Sequence, residues 1–391
     1  MENVHCRHWY DVLHTPSTHS REAWKRTKLT VSLSKYPDQE DQLAGSWKFS
    51  VVPVIIIDDG TKTMVESILQ AVYDKHVKEL ALNINGIPNT VDVALLSHAV
   101  VKVEKLWING VQTQTGQTGH REAILGAVIE EGPDLALKSL YLGPKVSQLS
   151  PDLLASAAVK LDTLEFDNST SDQIGEILTR LSSTENSKLR VLDLGYENVI
   201  ISHLPTETLI DGLLKLESIS RMIQRIILSD EQMTHFLNKM RDLEYLSLVH
   251  VILYQLDPDV LAGAVTRIET LEMSGLTRVQ ILSIFTKIHL GGCKLKKLEL
   301  EAQDHSDNDF SLVSPEVLLG AFRKMEKIWI DYGGFTTAQA DAIDNMVTAR
   351  SQGSLKHLKI YQPIIDGDFL SMDNSEEEEE DDMMNTFDFH F

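Results

Sequence analysis

Leu295-Lys-Lys-Leu-Glu-Leu300 is one of eleven copies of a six-residue motif that recurs through this 391-residue sequence. The motif is an apolar residue, two mostly polar residues, an apolar residue, a variable residue and a final apolar residue. Its fourth position falls at residues 80, 106, 140, 164, 192, 226, 246, 271, 298, 328 and 358, about 28 residues apart on average. The alternation of apolar and polar residues at the end of the motif predicts a short strand with one buried face.

Two kinds of helix start alternate between the predicted strands. The first is Ser or Asp followed by Pro, eleven residues before the motif, at Ser150, Asp257 and Ser314. The second opens with Thr or Ser, has Gln or Asp two or three residues later and continues into an Ile-rich segment, as in 171–181, 276–288 and 336–346. Ser, Thr and Asp side chains accept the free N–H groups of a first helical turn, and Pro there forfeits no hydrogen bond. Strands that alternate with helices predict an α/β protein.

The motif and its period resemble the leucine-rich repeats, whose period is roughly 20–29 residues. Two alternating unit types resemble the ribonuclease-inhibitor-like subclass of that family. The resemblance covers residues 51–362 and implies a solenoid, a curved parallel β-sheet lined by helices, with about eleven to twelve repeats of two alternating types. The β-branched run Val51–Ile57 predicts the first strand. Residues 29–50 are predicted to be a connector.

The composition limits the function. The net charge is −22, with 36 basic and 58 acidic residues, which disfavours nucleic acid and anionic membranes as partners. The sequence has no apolar run of about 18 residues that would span a membrane, and its first residues do not resemble a signal peptide. Only Cys6 and Cys293 are present, which favours a reducing compartment. We therefore expect a cytoplasmic or nuclear protein.

Catalytic motifs are absent from the sequence. Phosphate-binding Gly-x-x-x-x-Gly-Lys-Ser/Thr, His-Glu-x-x-His and Gly-x-Ser-x-Gly do not occur. His5, Cys6 and His8 are metal-ligand types, but no second Cys/His pair at ligand spacing completes a site. We expect no enzyme activity, no metal and no cofactor.

The variable fifth position of the motif should point to the open, concave face of the sheet, because neighbouring positions point into the core. It carries two Trp and one Tyr, and exposed aromatic residues of this kind anchor protein interfaces. Acidic residues at the same position in other repeats predict a basic partner. The alternative is that loops or the C-terminal tail cover the rings. The predicted partner-binding residues are Trp107, Tyr141, Glu165, Asp193, Glu272, Glu299, Trp329 and Lys359.

Residues 1–28 differ from the repeats and form a predicted short helical segment. Their pattern resembles the second half of an F-box, through Val4, Cys6, Arg7, Trp9, Tyr10, Pro16, Ser17 and Trp24. The Leu-Pro pair and the two helices that open an F-box do not precede this pattern, and the gap from Pro16 to Trp24 is longer than usual. Either the sequence begins inside the module or the module has lost its first half. The resemblance implies a Skp-type adaptor as a partner, bound by Val4, Cys6, Trp9, Val12 and Leu13.

The F-box resemblance implies the substrate-recognition subunit of a Skp/cullin/F-box-type ubiquitin ligase, which holds a target protein on the concave face. One alternative is a leucine-rich-repeat scaffold or inhibitor with no ubiquitin link, in which residues 1–28 cap the solenoid. A weaker alternative is a GTPase-activating leucine-rich-repeat protein, for which no catalytic Arg can be placed.

Residues 363–391 are predicted to be an acidic disordered tail. Glu376 to Glu380 with neighbouring Asp residues carry like charges that nothing apolar offsets. Phe387, Phe389 and Phe391 end the sequence, and a short peptide that docks on a partner is the alternative to a solubilising tail.

Overall fold

The computed structural model describes residues 28–31, 54–57, 61–74, 78–83, 88, 90–109, 118–143, 146–195, 198–240, 242–249, 251–302, 308–349, 353–362 and 385–390. Its elements form an α/β structure with parallel sheets, as the sequence predicts. The chain divides into two compact units, one of residues 1–199 and 211–218 and one of residues 200–210 and 219–391. The helical segment predicted over residues 1–28 lies outside the described residues except for Lys28, and so do the predicted adaptor-binding residues Val4, Cys6, Trp9, Val12 and Leu13.

The first unit contains a seven-stranded parallel sheet with strands in chain order. Its strands are β1 Lys28–Val31, β2 Val54–Ile57, β3 Glu79–Asn83, β4 Lys105–Asn109, β5 Ser139–Leu142, β6 Thr163–Phe166 and β7 Val191–Asp193. The helices between them are α1 Lys62–Asp74, α2 Val93–Val100, α3 Thr118–Glu130, α4 Pro151–Ala158 and α5 Ser171–Ser183.

Short elements follow the first sheet. The two-residue strands β8 Val199–Ile200 and β9 Ile226–Ile227 pair with each other, and between them in sequence are α6 Thr206–Leu213 and α7 Ile219–Arg225.

The second unit contains a six-stranded sheet in the order β10, β11, β12, β14, β16 and β17. These strands are Leu243–Leu248, Ile268–Ser274, Lys297–Glu301, Lys327–Ile330, His357–Gln362 and Asn385–His390. The helices are α8 Asp230–Lys239, α9 Pro258–Ala264, α10 Arg278–Leu290, α11 Pro315–Phe322 and α12 Thr337–Thr348. A separate parallel pair joins β13 Asn308–Asp309 to β15 Gly333–Gly334.

Ten of the eleven motif copies form a strand of one of the two large sheets. The apolar positions of the motif are buried, as Leu298 and Leu300 illustrate at 1% exposure each. The helices contribute their own buried face, for example Leu154 of α4 and Ile177 of α5. The core therefore lies between one face of each sheet and the helices, and we call the opposite face of each sheet its open face.

The motif copy at 223–228 is a strand only in part: Ile226–Ile227 form β9, which lies outside both large sheets, and the rest of the predicted strand is wrong. Its first half belongs to α7, because apolar residues recur at helical spacing and all are buried: Ile219, Met222, Ile223 and Ile226. The helix lies beside β10, where the Ser220 hydroxyl donates to the Tyr245 carbonyl (3.0 Å) and the Gln224 amide donates to the Ser247 hydroxyl (2.6 Å). The apolar residues at helical spacing therefore form a helix at 223–225, where the short motif had predicted a strand.

The connector and the tail also differ from prediction. Residues 29–31, predicted to begin a connector, belong to β1, which pairs in parallel with β2. Residues 385–390, predicted to be disordered, form β17, which pairs antiparallel with β16 and places Phe387 opposite Ile360 and Phe389 opposite Leu358. The alternating pattern of 386–390 favours a strand, although the composition of the preceding residues favours disorder. Residues 363–384 lie outside the described residues.

Helix starts follow the two predicted types with one difference. The side chains of Asp257 and Ser314 accept backbone N–H groups of α9 and α11, and Pro occupies the first turn of each helix. Ser150 precedes Pro151 in the same way, but its side chain makes no capping hydrogen bond.

The second type of helix start contains a glutamine that joins adjacent repeats, where a repeat is one strand with the helix that follows it. In α10, the side-chain oxygen of Gln280 accepts the Thr277 N–H at 2.9 Å. Its amide nitrogen donates to the Leu253 carbonyl at 2.7 Å and to the Leu256 carbonyl at 2.8 Å, both in the preceding repeat. One amide thus uses its acceptor and both of its donors while fully buried. We call this arrangement the glutamine clamp.

The clamp occurs four times in the described residues. Each glutamine occupies the third helical position after a Thr or Ser cap, and each donates to two carbonyls of the repeat before it. The four are Gln173 on Val146 and Leu149, Gln232 on Ser202 and Leu204, Gln280 on Leu253 and Leu256, and Gln339 on Phe310 and Val313.

Replacing Gln280 by Glu tests the clamp. Glutamate keeps the acceptor but loses both donors, so the two buried carbonyls face a carboxylate. We expect a loss of about 2–4 kcal/mol in the free energy of unfolding, since two hydrogen bonds are lost, a buried group left unsatisfied costs roughly 1–3 kcal/mol, and burying a carboxylate adds to the cost. Urea unfolding measures the change.

Gln255→Glu is the matched control. Gln255 is exposed on the surface, where its amide donates to the Tyr254 hydroxyl at 3.2 Å, so we expect a change within about 0.5 kcal/mol. Equal urea midpoints for the two variants would contradict a structural role for the clamp.

Candidate functional site

The variable positions of the motif form a row across the open face of the first sheet. Strand register places Ala81, Trp107, Tyr141, Glu165 and Asp193 opposite one another in that order. Strand neighbours of Trp107 on either side, Leu106 and Ile108, are buried, so Trp107 faces away from the core. The structure therefore brings together four of the predicted partner-binding residues on one surface.

Trp107 and Tyr141 form the aromatic centre of this row. Their ring centroids are 5.3 Å apart with planes tilted by 43°, and Trp107 remains 39% exposed. The Tyr141 hydroxyl donates to Asp167 at 3.1 Å. Partial burial and the nearby Asp167 carboxylate raise the pKa of Tyr141, which keeps the hydroxyl protonated as a donor. We call Trp107 and Tyr141 the aromatic pair.

Carboxylates lie on one side of the aromatic pair. Glu165 is the next residue in register after Tyr141, and Asp193 follows it. Asp193 accepts the backbone N–H of Gly195 at 3.1 Å. Gly195 has a φ of 66°, and a Cβ there would lie 2.0 Å from the Asp167 carboxylate oxygen. Glycine at 195 therefore allows the Asp167 side chain to lie over the end of the neighbouring strand.

Lys105 is the cation nearest to Trp107 along β4. It lies opposite Glu79 in register, and its ammonium is 3.5 Å from that carboxylate. Its charge is thus directed to the start of β3 rather than to the carboxylates beyond Tyr141.

A second row crosses the open face of the sheet in the second unit. Register aligns Ser247, Glu272, Glu299, Trp329 and Lys359. The predicted residues Glu272, Glu299, Trp329 and Lys359 are therefore adjacent, whereas Ser247 is buried under α7.

Tyr245 is a residue that the sequence reasoning missed. It lies two positions before Ser247, is 46% exposed, and donates its hydroxyl to Glu272 at 2.6 Å. Partial burial, followed by the hydrogen bond to Glu272, raises its pKa to about 12. The signal was available in the sequence, because residues two apart on a strand share a face.

Glu299 lies between Glu272 and Trp329. Burial and the charge of Glu272 raise the pKa of its carboxyl group, although Lys327 acts in the opposite direction. The ionised form of Glu299 is therefore less favourable in the folded protein than in water.

Trp329 is less available than Trp107. The Lys359 ammonium lies 4.6 Å and the Lys327 ammonium 5.4 Å from the centre of its ring, within cation–π range. Its indole nitrogen donates to Asp331 at 3.4 Å. Trp329 lies in the predicted row, but its ring is half-buried and contacts cations of its own chain, so it is not the exposed anchor that was predicted.

Two kinds of feature are absent from the described residues. They contain no group of three or more His, Cys, Asp or Glu side chains placed to hold a metal ion. No helix among them combines the length and apolar character needed to cross a membrane.

Comparison with known proteins gives no family assignment: no family model matches the chain, and no curated protein matches it.

A Glu299→Gln variant tests the electrostatics of the second row. Because the pKa of Glu299 is raised in the folded state, its ionisation destabilises the fold at neutral pH, and a neutral glutamine removes that penalty. We expect the variant to be more stable than wild type at pH 7. The difference should shrink as the pH falls through the raised pKa and vanish below the ordinary value of 4.5. Urea midpoints measured from pH 7 to pH 4 report it.

The control is Glu122→Gln, which removes the same charge from an exposed position on α3. A Glu299→Gln variant less stable than wild type at pH 7 would refute the assignment of a raised pKa.

Proposed function

We propose that this chain is a leucine-rich-repeat protein of the ribonuclease-inhibitor-like kind, and that it binds a protein partner on the open faces of its sheets. Parallel strands that alternate with helices support the architecture. The aromatic pair carries the binding proposal: Trp107 is exposed in contact with Tyr141 on a strand face whose other residues are mainly polar. Large exposed aromatic residues of this kind are enriched at the centres of protein interfaces.

We further propose that the protein is the substrate-recognition subunit of a Skp/cullin/F-box-type ubiquitin ligase, in the cytoplasm or nucleus. This step rests on the F-box resemblance of residues 1–28, and the open strand face would hold the target. Such a subunit performs no chemistry itself. It raises the effective concentration of the target near the enzyme that modifies it.

A scaffold or inhibitor with no ubiquitin link is the second candidate. The open face and the aromatic pair favour it equally, because they concern the partner and not the adaptor. The adaptor therefore decides between the two candidates.

Partner binding should depend on the aromatic pair. We expect Trp107→Ala combined with Tyr141→Ala to weaken binding of the partner about 30-fold or more, since losing one interface hot spot costs about 2 kcal/mol or more. Candidates come from crosslinking in cell extract, and the measurement is a titration of each purified candidate against both proteins.

Tyr73→Ala combined with Tyr254→Ala is the matched control. These tyrosines are exposed by 46% and 57% outside the two rows, so the variant removes aromatic surface without touching the proposed site. A partner that binds the Trp107/Tyr141 variant as tightly as wild type would discard the site.

Adaptor binding separates the two candidates. We expect the full chain to bind a purified Skp-type adaptor, and we expect Trp9→Ala combined with Leu13→Ala to abolish that binding. Failure of the wild-type chain to bind would remove the ligase proposal and leave the scaffold or inhibitor.

A further inference from the structure

We infer that the first sheet recognises an arginine side chain of its partner, which lies on the aromatic pair and donates to Glu165. This inference rests on the proposed function, because it specifies the group that the same site takes. It depends on three features of the first sheet: an accessible aromatic surface, carboxylates next to it, and a local charge that suits a cation.

Part of the aromatic surface is exposed. Trp107 is 39% exposed, and its ring lies 5.3 Å from that of Tyr141, so the exposed ring surface adjoins a second aromatic ring. A cation is attracted to the face of Trp or Tyr within about 6 Å of the ring centroid, most strongly for Trp. The second sheet shows this chemistry within the protein itself, where two lysine ammoniums lie over Trp329 at 4.6 and 5.4 Å.

The carboxylate lies at the right distance from the aromatic pair. Adjacent strands are about 4.8 Å apart, so the strand of Glu165 lies roughly 10 Å from that of Trp107, with Tyr141 between them. A long side chain laid across Tyr141 joins the two. A carboxylate offers about four lone-pair positions, so Glu165 can accept a guanidinium in addition to its existing contacts.

The sign of the local charge selects a cation. Glu165, Asp167 and Asp193 surround the far side of Tyr141, and Lys105 is directed to Glu79. A phosphate or carboxylate from a partner would be repelled, whereas a basic side chain complements the surface.

Arginine fits better than lysine. Its guanidinium is planar, more weakly hydrated than an ammonium, stacks on aromatic faces and donates two parallel hydrogen bonds to a carboxylate. Lysine offers only a compact, strongly hydrated charge. The site joins a ring surface to a carboxylate, and a single planar cation satisfies both.

The test follows the indole N–H of Trp107 by NMR in the full chain labelled with ¹⁵N-tryptophan. The chain contains five Trp, and loss of one signal in Trp107→Phe assigns the peak. The probes are three peptides, acetyl-Gly-Leu-Xaa-Leu-Gly-amide, in which Xaa is arginine, lysine or citrulline. Citrulline has nearly the shape of arginine without its charge.

We expect the arginine peptide to shift the Trp107 signal with the lowest Kd. The lysine peptide should bind about threefold more weakly and the citrulline peptide at least about tenfold more weakly. Glu165→Gln should weaken the binding of the arginine peptide about tenfold. Glu122→Gln, which removes the same charge from an exposed position on α3 outside the two rows, should leave that affinity unchanged.

Equal binding of the arginine and citrulline peptides overturns the inference, and so does an unchanged arginine affinity in Glu165→Gln. A Trp107 signal that no peptide moves overturns it as well. These failures are distinct from failure of the proposed function. If the Trp107/Tyr141 variant loses its protein partner while arginine shows no preference, the proposed function stands and the inference fails. If arginine is preferred but the variant keeps every partner, the cation site stands and the proposed function fails.

Discussion

The buried amide of the glutamine clamp is the interaction on which the repeated structure depends. Each repeat is a short strand and a helix, too small to bury its own apolar face. Apolar contact between neighbouring repeats is non-directional and does not by itself fix how one repeat is placed on the next. The amide of Gln280 is directional, because it donates to two carbonyls of the repeat before it and accepts from its own helix cap. It adds a second donor to the Leu253 carbonyl, which also accepts the Leu256 N–H at 2.9 Å, and it supplies a donor to the Leu256 carbonyl.

The candidate site follows from that fixed placement. Gln173 holds the carbonyls of Val146 and Leu149, in the turn that follows β5, and belongs to the helix that follows β6. Those two strands carry Tyr141 and Glu165 in register. A one-residue slip would turn every side chain of a strand to the opposite face, so the aromatic pair and its carboxylates share one surface only while register is kept. By fixing one repeat on the next, the clamp in the helix layer helps to keep the strand register that places these side chains on the open face.

The sequence predicted the strands and the two rows well, because the motif has a period of two at its end and apolar positions that must be buried. It failed at 223–225, where the apolar spacing also fits a helix and α7 forms, which leaves only the two-residue strand β9 after it. The Thr-x-x-Gln pattern predicted a helix start but not the contact between repeats, because the carbonyls to which Gln280 donates are 24 and 27 residues away in sequence. Position was predictable but exposure was not: Trp107 and Trp329 occupy equivalent places, yet only Trp329 has two lysines over its ring. That difference depends on residues of neighbouring strands.

Hydrogen exchange in a Gln173→Ala variant tests most directly whether the clamp joins adjacent repeats. If it does, backbone amides should exchange faster in the helix that contains residue 173, Ser171–Ser183. They should also exchange faster in the preceding segment from Ser139 to Leu149, to which the side chain of Gln173 donates two hydrogen bonds. Faster exchange confined to Ser171–Ser183, or no change in either segment, would contradict the account.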